Sequence, residues 1–153
     1  GYLGKMEPGE RARSFISPMM VLKDGVPVLA LGAAGGARIV SGVLEVISRM
    51  IDGGMSLSDA LAAPRVHMNT DGTLDLETSP GIGWTPADVE QIKALGIKVT
   101  ETPSTGSFSR VHAIQFVAGT KTWIGGADPD WEGSAQSPAQ PRRGRGGPPP
   151  PQP

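Results

Sequence analysis

Small apolar residues run without interruption from Val28 to Leu31, and a second apolar pattern starts at Ile39. The first run reads as a buried strand. The second recurs at Ile39, Val43, Ile47 and Met50, with Val40, Leu44 and Ile51 alongside. That spacing predicts a helix with a broad buried face. Between the two lies Gly32-Ala33-Ala34-Gly35-Gly36-Ala37, a corner with almost no side chains. Such a corner lets a ligand approach the backbone and sets the unpaired N–H groups of a helix start beside it. A phosphate, a carboxylate or a developing oxyanion all suit those donors.

The flanking pattern builds outward from this core. Pro18 disfavours helix at Ser17, so residues 14–18 form an extended approach to a strand at 19–23. Asp24-Gly25 between two apolar runs is a hairpin signal, with a return strand at 26–31. The hairpin carries residues 14–17 and the glycine corner to the same edge of a sheet. After the helix, Asp52-Gly53-Gly54 is a stop, and Ser56-Leu57-Ser58-Asp59 caps a short helix that ends before Pro64. Residues 65–67 continue as an extended piece, and 73–77 alternate like a half-buried strand. Thr85, Pro86 and Asp88 open a third helix running to Leu95. A short strand at 97–100 and a loop at 103–107 follow. A second hairpin, 110–117 with 121–124, closes the pattern. The order β-β-α-α-β-α-β-β-β, mainly antiparallel, predicts an α+β layered architecture rather than a doubly wound sheet.

From Ser134 the composition shifts to Ser, Gln, Arg, Gly and Pro, ending in Pro-Pro-Pro-Pro-Gln-Pro. Residues 134–153 therefore read as a disordered Pro/Arg/Gly-rich tail after an ordered unit at 1–133. Its Arg142-Arg143-Gly144-Arg145 cluster reads as solvated.

The chain has 153 residues and a formal net charge of -1, so no general basicity points to nucleic acid. With no cysteine, disulfides, zinc-thiolate sites and a cysteine nucleophile are excluded. No apolar run approaches the ~20 residues of a membrane span. The start, Gly-Tyr-Leu-Gly-Lys-Met, shows no initiating Met and no signal pattern. The expectation is that the true N-terminus lies upstream, together with any targeting signal.

Spacing narrows the chemistry of the corner. A dinucleotide site needs G-x-G-x-x-G and a P-loop needs Gly-Lys-Ser/Thr; neither occurs here. An oxyanion site needs only two rigid backbone donors near a nucleophile, and Gly35-Gly36 supply them. Tight strand–helix packing explains the same glycines equally well. His67 and His112 stand apart without a partner at ligand spacing, so no metal is expected. Asp128-Pro129-Asp130 reads as a turn. Trp84, Trp123 and Trp131 read as covers for core edges, and Ser14 and Ser17 as local caps or hydroxyl ligands.

Six patterns then fall in order along the chain. They are R-x-x-S-x-x-S-P (Arg11, Ser14, Ser17, Pro18), V-L-K-D-G, L-G-x-x-G-G-x-R-I (Leu31 to Ile39), I-D-x-G-M, A-P-R-x-H (Ala63 to His67) and G-A-D-P (Gly126 to Pro129). Together they resemble the C-terminal part of the small subunit of gamma-glutamyltransferases. The resemblance implies an N-terminal-nucleophile hydrolase fold, an αββα sandwich, and needs no cofactor. It implies a precursor that cleaves itself, freeing a threonine that attacks a gamma-glutamyl carbonyl; the acyl group passes to water or an amine. It matches Gly35 and Gly36 to an oxyanion hole, and Ser14 to the first of two serines binding the substrate α-carboxylate. The second serine is Phe15 here, as suits a cephalosporin acylase-like relative or a non-catalytic binding member. The threonine precedes these residues in the family, so the chain alone is expected to be inert. Its implied partners are a gamma-glutamyl small molecule and the rest of the precursor, in a periplasmic or extracellular setting.

Overall fold

The computed structural model describes residues 7–11, 14–78, 83–103 and 107–136. Most of the tail, its Arg142–Arg145 cluster included, and parts of the 103–107 loop lie outside the described residues. Residues 134–136 are exposed and carry no regular structure.

The predicted hairpin is β1 (Met19–Lys23) with β2 (Val26–Ala34), turning at Asp24 and Gly25, both with positive φ. β2 runs past Leu31 to Ala34, because it pairs on its other side with β6 (Arg110–Val117) as far as Ala34↔Arg110. Ladder pairing therefore claims the first half of the expected corner. A 3-10 turn at Gly36–Arg38 leads straight into α1 (Ile39–Ile51). α2 (Leu57–Ala62) follows, its Ser56 side chain accepting from the Asp59 N–H. Residues 65–67, expected only to be extended, contribute a true strand, β3 (Val66–Met68). The remaining elements are β4 (Thr73–Thr78), α3 (Pro86–Ala94), β5 (Lys98–Pro103) and β7 (Thr122–Ala127). α3 carries the predicted Thr85 cap as a full capping box with Asp88.

Two sheets result, β1-β2-β6-β7 and β3-β4-β5. Pairing is antiparallel except between β4 and β5, which α3 joins as a crossover. The fold is α+β, as expected. The first core lies between the four-stranded sheet and α1 with α2, where Leu29, Leu31, Val43, Val46, Leu61 and Val111 pack. A second, smaller core joins Leu74 and Leu76 to Val89 of α3.

Three expectations need correction. The buried face of α1 is narrower than its apolar pattern: Ile39, Gly42, Val43 and Val46 are buried, whereas Val40, Leu44 and Ile51 are exposed. β4 is buried on both faces over residues 74–77, because arginines cover the carboxylates of Asp75 and Glu77. Of the tryptophans, Trp84 packs on the second core, but Trp123 and Trp131 are half exposed.

Candidate active site

The glycine corner sits where β2 leaves the sheet. Gly35 has φ 143° and ψ 21°, and Gly36 has φ 60°. Both are conformations that L side chains avoid. No side chain caps the 3-10 turn or α1, and no acidic residue stands in either first turn. Among the described residues, no backbone carbonyl accepts from the Gly35 or Gly36 N–H. Among the described residues the two adjacent donors thus face no acceptor at the positive end of a helix, an arrangement that favours an anion.

The segment 107–111 backs this corner. A Cβ on Gly35 would lie 2.7 Å from Ser109 Cα, so the packing and ligand explanations of this glycine both hold. Arg38, at the end of the turn, donates to the Ser107 carbonyl and to Asp75 Oδ2, and its guanidinium lies 4.8 Å from the Phe108 ring centroid. The corner is therefore tied to β4 as well as to β6.

Ser14 and Phe15 lie on the approach to β1. Met19 pairs with Leu31, so residues 14–18 reach the end of the sheet from which Gly35-Gly36 emerge. Sequence and structure agree on this placement. Ser14 Oγ accepts from the Ile16 N–H at 3.3 Å, and Ser17 Oγ donates to the Phe15 carbonyl at 2.9 Å. Both hydroxyls act as local caps here, and Phe15 is 45% exposed. No hydrogen bond joins them to the corner among the described residues.

His67 Nδ1 meets Ser41 Oγ at 2.9 Å, and burial followed by nearby Arg38 lowers its pKa. The ring is thus a neutral structural partner. Trp131 N–H donates to the Asp128 carbonyl at 3.2 Å, the expected turn, but Asp128 does more. It is 2% exposed, pairs with Arg65 at 2.7 Å and accepts from the Val111 N–H at 3.2 Å. Arg65 also meets Glu77 at 3.5 Å and donates to the Leu61 carbonyl at 2.8 Å.

Beside it on α1, Glu45 accepts from Arg49 at 3.3 Å and from the Val66 N–H at 3.2 Å. Burial outweighs these attractions and raises Glu45 to a pKa of about 7; burial likewise raises Glu77. Reading the sequence missed this network. Its only signal was that Arg65 and Asp128 fall within A-P-R-x-H and G-A-D-P.

The chain matches the gamma-glutamyltranspeptidase (gamma-glutamyltransferase) family over residues 3–137. It is similar to a glutathione hydrolase proenzyme of Bacillus subtilis, 31% identical over 136 residues, covering 88% of this chain and 22% of the relative. It is also similar to the acylase ACY 1 proenzyme of Pseudomonas sp. (strain SE83), 38% identical over 110 residues, 71% of this chain and 18% of that one. The chain thus spans about a fifth of the length of these curated relatives. Its structure superposes on a mutant of Helicobacter pylori gamma-glutamyltranspeptidase with a TM-score of 0.73 and 33% identity, covering 82% of this chain and 66% of that one. Motif order, sheet topology and these likenesses converge, and the chain belongs to the gamma-glutamyltranspeptidase family.

Proposed function

We propose that this chain is the C-terminal part of the small subunit of a gamma-glutamyl acyltransferase or hydrolase, acting on glutathione-like gamma-glutamyl amides. In this role Gly35 and Gly36 donate to the oxyanion, and Ser14 with Phe15 borders the substrate α-carboxylate. A threonine upstream of Gly1, freed by autocleavage of a precursor, attacks the gamma-glutamyl carbonyl with its own amine as base. The carbonyl oxygen becomes an anion facing the two amides. Collapse breaks the C–N bond, the amine leaves with a proton, and water or an acceptor amine then resolves the acyl-enzyme. The observation that carries this is the pair of amides, unaccepted among the described residues, at an uncapped helix start. Donors fixed in advance at a developing charge are the largest single term in such reactions, each about 10²–10³ in kcat.

The complete protein, with its upstream residues, is expected to hydrolyse a gamma-glutamyl anilide, and these 153 residues alone are not. Turnover by the chain alone, or none by the complete protein, would sink the assignment. Export to the periplasm or cell exterior belongs to the same proposal.

Phe15 supports a second reading, a bias towards other acyl groups as in an acylase. It removes a hydroxyl and adds bulk beside Ser14. Phe15→Ser is expected to raise gamma-glutamyl turnover relative to a bulkier acyl substrate; an unchanged ratio counts against this reading.

A further inference from the structure

One small residue holds the glycine corner from behind. Ser109 Cα lies 2.7 Å from where a Cβ on Gly35 would be, and Ser109 Oγ lies 1.9 Å from where one on Gly42 would be. Ser109 is therefore clamped between the corner's backbone and the first turn of α1, its Oγ occupying the space a Gly42 side chain would take. It is 2% exposed, and its hydroxyl has no hydrogen-bond partner among the described residues. A buried hydroxyl without a partner is a net cost, so shape is what the position supplies.

Its neighbours are anchored on both sides. The Ser107 carbonyl accepts from Arg38, and the Phe108 ring lies under the same guanidinium. On the other side the Val111 N–H donates to Asp128, which Arg65 holds. These anchors hold the Ser109 backbone in place, so bulk beyond what a turn of its hydroxyl absorbs is taken up by the corner or by α1.

We propose that Ser109 is a positioning residue that sets how the Gly35 and Gly36 amides are aimed. This rests on the reading of those amides as oxyanion donors. Such donors act mainly on the transition state, so misaiming them lowers kcat and leaves KM nearly unchanged.

The test uses the complete protein with its upstream residues. Gly42→Ala drives a methyl group onto Ser109 Oγ. Its kcat for a gamma-glutamyl anilide is expected to fall on the order of 10-fold or more at nearly constant KM. Amide hydrogen exchange across residues 32–38 is expected to quicken. Adding Ser109→Ala to Gly42→Ala removes the colliding oxygen and is expected to restore both. Ser109→Val is a second variant, expected to repeat the kcat loss and the faster exchange. The proposal is overturned by unchanged kcat and exchange in both bulkier variants, by a loss carried in KM alone, or by failure of the Ser109→Ala rescue. If the wild-type protein hydrolyses no gamma-glutamyl substrate, the functional reading falls. Hydrogen exchange then still decides whether Ser109 holds the corner.

Discussion

Gly35 and Gly36 are adjacent and alike in sequence but differ in what surrounds them. Nothing lies within 4 Å of a Cβ built on Gly36, so Gly36→Ala meets only its left-handed backbone, a cost of about 1–2 kcal/mol. At Gly35 a Cβ strikes the backbone of Ser109 at 2.7 Å, and backbone does not swing aside like the end of a side chain. Gly35→Ala is expected to cost about 3 kcal/mol or more, strain and overpacking together. Urea denaturation of the two variants checks the order; equal midpoints would contradict it. The glycine corner itself was legible in the sequence, and both positions have the positive φ that suits a residue without a Cβ. Its asymmetry was not, because Ser109 is far away along the chain and reaches the corner only through the β2–β6 ladder.

At the scale of elements, α1 and β4 show where periodicity stops informing. Caps, turns and strand–helix alternation follow local chemistry, and they appear where the sequence puts them, as at Thr85-Pro86 and Asp24-Gly25. Charge inside an element is decided by distant partners. Glu45 lies on the buried side of α1 because Arg49 and the Val66 amide receive it, while Arg49 itself also donates to the carbonyls of Ala60, Ala63 and Pro64. With its pKa raised from 4.5 to about 7, folded Glu45 keeps a proton that the unfolded chain has already lost. The stability that Glu45 contributes is therefore fully present below about pH 4.5 and is lost as pH rises towards 7. Glu45→Gln is expected to flatten that slope, with a difference on the order of 3 kcal/mol accumulated across the window. Denaturant midpoints measured at pH 5 and pH 8 read this directly; a parallel slope in the variant would show that Glu45 is not its source.

Over the whole molecule, two ion pairs, one partly and one fully buried, tie the sheets together. Arg38 at the start of α1 reaches Asp75 of β4, and Arg65 before β3 reaches Asp128 after β7. Away from α1 and α2, the four-stranded sheet is less finished. Met20 and Ile114 are 56% and 46% exposed, around a groove of about 680 Å³ lined by Pro18, Met20, Ala30, Gly32, His112 and Ile114; Trp123, 50% exposed, lines a second groove beside Ile114. An apolar surface of this kind marks an interaction site, and in the proposed precursor its occupant is the upstream part of the protein. The isolated chain is expected to bind a hydrophobic dye and self-associate, and co-expression with the upstream part to yield a single well-defined complex. A monodisperse, dye-silent monomer would argue against that occupant.

The same bare face bears on the order of synthesis. In the proposed arrangement this chain leaves the ribosome after the upstream part of the precursor, and proteins made N-terminus first fold their leading parts first. The sticky side of the sheet then emerges beside a surface already built to receive it. Its exposure then lasts only until it docks on that surface. Swapping that order by circular permutation would leave the face waiting, and the cost would appear as aggregation during expression rather than as lost stability in the finished protein.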